Sequence, residues 1–345
     1  MKKSKKFVLA GLVLLAAITM VLLPLSSCKT DVDTSSPQQE QPGDTDNGNN
    51  DNDASVITTG DPAAFITEIT AAGTYTLVAT KECTDTAAIK DALRSLESRQ
   101  PDARIHLNLS QSGITSIGTD AFEGCSSLAR VEIPSSVTSI GERAFQDCSS
   151  LDSVTFQAGS QREIGEYAFS GCSSLVSVKI PTSVTSIGKY AFSGCSSLDS
   201  VTFQAGSQLA SIGNSAFAFC SSLVSVEIPS SVTSIGKYAF SECSSLDSVE
   251  IPSSVTSIGE YAFRECSRLV SVKIPSSVTS IGGGAFFECS ELSTVKVEAE
   301  DPPILGVSVF DATDAGLKIQ VPNTSVVYYI SNWSAYADKI EPITS

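Results

Sequence analysis

Residues Cys243 to Glu265 read CSSLDSVEIPSSVTSIGEYAFRE, and close variants of this segment recur along most of the chain. The motif Ala-Phe-x-x-Cys occurs eight times, and successive cysteines lie 23 to 25 residues apart. These cysteines are Cys125, Cys148, Cys172, Cys195, Cys220, Cys243, Cys266 and Cys289. A fixed period of this length predicts an array of stacked coils in which each coil packs on its neighbours.

Within one unit, the sequence predicts a short strand, a bend and a second inward-facing segment. Apolar residues alternate with polar ones towards the end of Leu128–Ile133, and Pro134 ends this strand because it lacks an N–H donor. Val137 and Ile140 turn inward after a serine-rich bend. The spacing within Ala144–Cys148 predicts a single helical or 3-10 turn. One coil cannot bury its apolar residues alone, so neighbours about 4.8 Å away must cover them.

This unit resembles the BspA-like class of leucine-rich repeat, with its pattern L-x-x-I-x-L-P…I-x-x-x-A-F-x-x-C. The resemblance covers about residues 111–297, and every unit carries Ile-Gly-x-x-Ala-Phe-x-x-Cys. In five units proline stands where commoner leucine-rich repeats have asparagine: Pro134, Pro181, Pro229, Pro252 and Pro275.

The resemblance implies an α/β repeat fold, a right-handed leucine-rich-repeat solenoid of about eight 23-residue repeats whose strands line one face. It also implies an exported surface protein of a host-associated microbe. Such a protein would bind host matrix proteins, cell-surface glycoproteins or neighbouring cells.

Both ends of such an array need caps, because a bare end repeat would expose its core. Residues 57–110 are predicted to form an N-terminal α/β cap. Its predicted elements are helices at Pro62–Thr70 and Thr86–Ser98 and strands at Tyr75–Ala79 and Arg104–Leu109.

Residues 298–345 are the predicted C-terminal cap, with a strand at Leu317–Val321. They end in an aromatic tail that contains Tyr328, Tyr329, Trp333 and Tyr336. The sole tryptophan could be a binding hot spot, but a position in the core of the cap is favoured.

Residues 1–27 are predicted to be a lipoprotein signal peptide, because four lysines precede the apolar run Phe7–Leu25. A retained transmembrane anchor is the alternative, since 19 residues could just span a bilayer. Pro24 and the sequence Leu-Ser-Ser-Cys ending at Cys28 disfavour it. This tetrapeptide resembles a bacterial lipobox, which implies lipidation of Cys28. The expected location is the cell envelope, in the outer membrane facing the exterior, with lipid as the only membrane contact.

Residues 28–56 form the predicted disordered acidic tether, which has almost no large apolar side chains. Asp44–Gly48 superficially resembles a calcium loop, but its glycine falls one place early and no glutamate closes it, so a solvated tether is favoured. The net charge of −16, from 22 basic and 38 acidic residues, argues against a nucleic-acid partner.

The eight cysteines of the repeat are in one phase and are predicted to form a structural column. Metal ligands would have to converge on one point, which a 23-residue spacing does not favour. Disulfides between neighbouring coils would have poor torsion angles because the side chains are parallel. Buried free thiols are therefore favoured, while the role of Cys83 in the N-terminal cap stays open.

Two outward columns are candidate binding surfaces. The first follows the inward valine of each strand and carries charge at Glu132, Lys179, Glu227, Glu250, Lys273 and Lys296. It lacks the aromatic and arginine anchors typical of tight interfaces, so a solubilising role is an equal alternative. The second column precedes Ala-Phe and has tyrosine in four units: Tyr167, Tyr190, Tyr238 and Tyr261. Tyrosine suits recognition, although stacking along the edge of the turn is favoured.

No catalytic constellation is present in the sequence. Gly-x-Ser-x-Gly does not occur, His106 is the only histidine, and Gly282–Gly284 lacks the lysine of a phosphate loop. We expect a protein that is not an enzyme and needs no cofactor or metal. The predicted function is adhesion or protein–protein recognition over an extended repeat surface. The alternative is a scaffolding lipoprotein that binds other envelope components.

Overall fold

The computed structural model describes residues 55–64, 69–159 and 161–343. The predicted signal peptide, the lipidation residue Cys28 and nearly all of the predicted tether lie outside the described residues. The first described strand begins at Ser55, two residues before the predicted start of the N-terminal cap. The last two residues of the segment predicted as tether are therefore part of a strand.

Two parallel sheets run along the described chain. The long sheet contains β1 Ser55–Thr59, β2 Gly73–Ala79, β3 Ala103–Asn108, β4 Leu128–Ile133, β6 Ser153–Phe156, β8 Ser177–Ile180, β10 Ser200–Phe203, β12 Ser225–Glu227, β14 Ser248–Glu250, β16 Ser271–Ile274, β18 Thr294–Val297, β20 Lys318–Val321 and β21 Ile340–Pro342. The short sheet contains β5 Ser139–Ile140, β7 Glu163–Ile164, β9 Ser186–Ile187, β11 Ser211–Ile212, β13 Ser234–Ile235, β15 Ser257–Ile258, β17 Ser280–Ile281 and β19 Ile304–Leu305. The helices are α1 Thr86–Arg99, α2 Val326–Asn332 and a 3-10 helix at Ser334–Lys339. Each coil crosses the long sheet and then the short one, which confirms the repeat solenoid.

Equivalent residues of successive repeats stand directly next to each other. Val154 pairs with Val178 in the long sheet, and Ile164 pairs with Ile187 in the short sheet. The glycine after each short-sheet isoleucine permits this close approach. A Cβ atom on Gly236 would lie 2.7 Å from the carbonyl carbon of Gly213 in the repeat before it. The Ile-Gly pair of the motif is therefore required by the spacing between coils.

The turn that closes each unit is not the helical or 3-10 turn that the spacing of Ala144–Cys148 predicts, so that prediction is wrong. Alternate N–H groups, beginning at Arg143, donate to carbonyls of the next repeat at 2.7–2.9 Å. The N–H groups between them, beginning at Ala144, donate to carbonyls three residues earlier at 3.1–3.4 Å. The backbone takes positive φ at Arg143 (51°) and Asp147 (56°), and such residues interrupt a right-handed helix. The turn thus adds a third set of hydrogen bonds between coils.

The phenylalanine of every turn stacks on its equivalents. The column contains Phe122, Phe145, Phe169, Phe192, Phe217, Phe240, Phe263, Phe286 and Phe310. Neighbouring ring centroids are 5.0–5.6 Å apart. Phe310 belongs to a ninth coil inside the predicted C-terminal cap, where Thr313 takes the place of the cysteine. Positive φ at Ser308 (55°) and Ala312 (56°) continues the pattern of the turns.

Helix α1 covers the N-terminal end of the array with its apolar face and with two cations. Ile89, Leu93 and Leu96 are buried on this face. Lys90 Nζ donates to the carbonyl of Asp120 at 2.5 Å, and Arg94 Nη2 donates to that of Glu123 at 2.7 Å. Turn N–H groups donate towards the next repeat, so the first turn has no repeat before it to supply donors. Arg94 compensates for this at Glu123, whose equivalent Gln146 accepts from the repeat before it, whereas Lys90 adds a bond to a carbonyl that also accepts from the N–H of Glu123.

Most predicted cap elements are confirmed within two residues: the helix at Thr86–Ser98 and the strands at Tyr75–Ala79, Arg104–Leu109 and Leu317–Val321. The helix predicted at Pro62–Thr70 is confirmed at residues 62–64 and wrong at Ile69 and Thr70, which are not helical, while residues 65–68 lie outside the described residues. Tyr329, Trp333 and Tyr336 are buried, whereas Tyr328 is 51% exposed. Trp333 and Tyr336 contact the ring of Phe310 and so close the column.

Candidate binding surfaces

The outward face of the long sheet carries the charged row predicted from the sequence. Glu227 pairs in register with Glu250, Glu250 with Lys273, and Lys273 with Lys296. Alternation along each strand turns the valine between two outward residues into the core. Lys296 is half-buried, and the other five charged residues of the row are exposed. The row thus presents acids in the middle and lysines towards its C-terminal end.

A second outward row on the same sheet consists mainly of serine. Its members in the repeats are Arg130, Ser153, Ser177, Ser200, Ser225, Ser248, Ser271 and Thr294. Arg130 is held at one end by Asp152, at 3.4 Å between Nε and Oδ1, and Arg104 reaches the same carboxylate at 2.8 Å. Most serines of the row are exposed. Their small side chains leave the face between the two rows open to a partner.

A groove lies on this sheet. It has a volume of about 610 Å3 and is bordered by the insert Gln204–Ser207, which replaces the usual proline corner. Ser200, Ser225, Glu227 and Glu250 line its sheet side. The sequence motifs identify the insert but not the groove, because residues of the next coils, Glu227, Pro229 and Glu250, also line it.

The tyrosine column is made of two stacked pairs. Tyr167 and Tyr190 have ring centroids 4.8 Å apart, and Tyr238 and Tyr261 have theirs 5.0 Å apart. All four have positive φ of 54–57°. Ser215 occupies the position between the pairs. Tyr238 is 39% exposed and the other three are half-buried, which agrees with stacking along the edge of the turn.

Phe219 is an exposed aromatic residue that the repeat motif does not reveal. It precedes Cys220, has a φ of 62° and is 49% exposed. Equivalent positions hold glycine, aspartate, glutamate or alanine. A comparison of this single column along the sequence would have found it.

The eight cysteines of the repeat are free and fully buried. From Cys148 onward, each Sγ donates to the phenylalanine carbonyl of the preceding repeat at 3.0–3.3 Å. Burial raises the pKa of Cys195, Cys243 and Cys289 to about 12. These thiols are protonated at neutral pH and act as small apolar side chains with one weak hydrogen bond. Cys83 is also buried and donates to the carbonyl of Gly60 at 3.3 Å.

The described residues contain no group of three or more metal-ligating side chains. His106 lies on β3, in register with Thr76 and Arg130 on the neighbouring strands. Over the same part of the chain, no helix has the length and apolar character needed to traverse a bilayer. The polar residues of the described chain are arranged in rows along open surfaces.

Two parallel sheets of coils, a continuous buried aromatic column and terminal caps define a leucine-rich-repeat solenoid. Residues 105–210 and 203–315 match the model of the BspA type leucine rich repeat region, in six copies. Since the match covers more than half of the chain, the protein belongs to the BspA-type leucine-rich-repeat family.

Solved structures of bacterial leucine-rich-repeat proteins are similar to this chain. One, from Bacteroides ovatus, is 30% identical, with a TM-score of 0.48 over 60% of this chain and 59% of its own. A leucine rich cell surface protein from Faecalibacterium prausnitzii is 26% identical, with a TM-score of 0.39 over 81% of this chain and 85% of its own. No curated protein matches the chain.

Proposed function

We propose that this protein is a lipid-anchored adhesin of the bacterial surface that recognises protein partners through the outward face of the long sheet. The observation that carries the proposal is the contrast between columns of the same sheet. The inward valines are the same in every repeat, whereas the neighbouring outward row varies between glutamate, threonine and lysine. Variation on an exposed, continuous face beside an unchanged inward column supports partner recognition, because nothing in the core constrains it.

The extended shape of the face favours many weak contacts over a single deep one. A solenoid presents one row of side chains per coil along its length. Several copies on one membrane would add avidity that a single copy lacks. Membership of the BspA-type family, whose proteins are cell-surface proteins, supports an exterior location. Host matrix proteins and the surfaces of other cells are the proposed partners, and the recognition involves no catalysis.

The membrane attachment is proposed to be lipid on Cys28. Acyl chains contribute about 0.8 kcal/mol per buried methylene, so two or more of them hold a protein stably. Replacement of Cys28 by alanine should release the protein from the envelope fraction into the medium or periplasm. Retention of Cys28→Ala in membranes would contradict the lipid anchor.

Protease treatment of intact cells tests the adhesin. Cleavage of the solenoid on intact cells would agree with a body that faces the exterior. Protection until the envelope is opened would instead support the scaffolding lipoprotein and reject the adhesin.

Loss of recognition on charge reversal tests the surface. Glu132→Lys, Lys179→Glu and Lys273→Glu together should abolish capture of the partner by immobilised protein, while the thermal unfolding midpoint stays unchanged because these side chains are exposed. The charge reversals Glu163→Lys and Lys237→Glu, away from the long sheet, serve as the control. Equal capture by both variants would reject the sheet face as the binding surface.

A further inference from the structure

One side of the groove on the long sheet is formed by the insert Gln204–Ser207, which forms hydrogen bonds with the preceding repeat. Gln204 donates its N–H to the carbonyl of Ile180 at 3.1 Å and accepts from the N–H of Thr182 at 3.3 Å, both in the preceding repeat. The N–H of Ser207 donates to Gln204 at 3.0 Å and closes the turn. The next two repeats turn at Pro229 and Pro252 instead. The longer insert therefore lies beside two shorter corners and borders the groove.

Two carboxylates lie side by side on the sheet at this groove. Glu227 and Glu250 are paired in register on adjacent strands, which are about 4.8 Å apart in a β-sheet. Like charges directly opposite each other destabilise a sheet. Among the described residues, no lysine or arginine forms an ion pair with either of them. Lys273, the next residue of the row, pairs with Glu298 instead, at 2.9 Å.

The remaining walls of the groove are suited to an aliphatic stem or a flat group. Phe203 is half-buried at the end of β10, and Pro229 and Pro252 line the same cavity. A volume of about 610 Å3 is within the usual range for ligand sites. An arginine fits both features, because its guanidinium donates to two carboxylates and its methylenes pack on apolar surface.

We infer that this groove binds an arginine side chain of an extended segment of the protein partner, with the guanidinium on Glu227 and Glu250. The inference rests on the proposed function, in which the long sheet recognises proteins. The other insert of the chain supplies a comparison. It begins at Gln157, and the row residue on the strand that follows it is Lys179 where the second insert has Glu227. The strand after the second insert therefore carries an acid and the strand after the first carries a lysine, so the two inserts differ in the charge beside them.

The test uses a fluorescein-labelled peptide, Gly-Ser-Arg-Ser-Gly, titrated with the full-length protein and followed by fluorescence anisotropy. We expect saturable binding that weakens with salt, because the contact is between exposed charges. Glu227→Gln with Glu250→Gln should weaken binding at least tenfold. Deletion of Ala205 and Gly206, which restores a 23-residue spacing, should do the same. Glu163→Gln, at an exposed acid on the short sheet away from the groove, is the control and should bind as the unaltered protein does.

Three outcomes would overturn the inference: no saturable binding of the arginine peptide, equal binding of a peptide with glutamine in its place, or equal binding by the double glutamine variant. Thermal unfolding of each variant shows that a loss of binding is not a loss of folding. The outcome is separable from the adhesin proposal. If the protein binds the peptide but is protected from protease on intact cells, the adhesin proposal fails and the inference about the groove stands. If the protein is cleaved on intact cells but does not bind the peptide, only the inference about the groove fails.

Discussion

In each coil, the phenylalanine column and the tyrosine column lie two residues apart, as in Tyr238 and Phe240. Their stacking distances are nearly the same, 5.0–5.6 Å for neighbouring phenylalanines and 4.8–5.0 Å for the two tyrosine pairs. The phenylalanine column continues through nine coils, whereas the tyrosine column is interrupted at Ser215.

The comparison of the two columns indicates that the backbone sets the stacking distance, while burial decides at which positions an aromatic residue is required for stability. Phe240 is fully buried, so a smaller residue there would leave a cavity that the neighbouring coils cannot fill. Tyr238 is 39% exposed, and solvent can replace it. The buried cysteine column is likewise the same in all eight repeats, whereas the exposed charged row of the long sheet varies from repeat to repeat.

The largest expected effect comes from titrating the buried cysteine column. Burial raises these pKa values in the folded state, to about 12 for Cys195 and Cys243. The stability from the protonated thiols is therefore complete below the unfolded pKa of about 9 and is lost as the pH rises towards the folded pKa. One pH unit above the unfolded value, each buried thiol costs about 1.4 kcal/mol. The free energy of unfolding, measured with urea from pH 8 to 9.5, should fall steeply.

Removal of two thiols is the control for this titration. Cys195→Ala with Cys243→Ala lowers stability at pH 8, but it should make the dependence on pH shallower, by at most two protons. A free energy of unfolding that stays constant across this range would contradict the buried, protonated column.

Truncation of one buried ring tests the comparison directly. Phe217→Ala should lower the free energy of unfolding by about 3–5 kcal/mol, because it creates a cavity between Phe192 and Phe240 and removes two stacking contacts. The thermal unfolding midpoint and urea unfolding measure the effect. Tyr238→Ala, in the next coil, is the matched control and should cost about 1 kcal/mol, the size of one stacking contact. Equal losses for the two variants would refute the role of burial.

The smallest expected effect concerns recognition by the tyrosine column. Replacement of Tyr167, Tyr190, Tyr238 and Tyr261 by serine should leave capture of the partner intact, because the long sheet is the proposed binding surface. The measurement is capture by the immobilised variant beside the charge-reversal variant of the long sheet. Loss of capture in a folded tyrosine variant would move the binding surface to the turns.

Several features could be predicted from single residues because their causes are local or repeat in every unit. The alternation ending at Ile133 and the proline after it identify the strand β4, and the apolar spacing around Ile89 and Leu93 identifies helix α1. The conformation of the turn could not be predicted in this way. Its positive φ values are stabilised by hydrogen bonds to the next coil, which a pattern within one unit does not contain.

The ninth coil shows the same limit. Val309 and Phe310 occupy the places of Ala-Phe, and Thr313 replaces cysteine. The coiled structure therefore extends one coil beyond the last copy of the sequence motif. The contact of Phe286 with Phe310 reveals the ninth coil.

The sequence by itself determined the period, the inward columns and the family to which the chain belongs, because each coil repeats the same local pattern of apolar residues. Only the tertiary structure decided which residues of neighbouring coils lie next to each other. The pairing of Glu227 with Glu250, the groove beside Gln204–Ser207 and the exposure of Phe219 all depend on which residues of neighbouring coils meet. Residues about 23 positions apart become neighbours only when the coils stack, so their chemistry appears only in the assembled array.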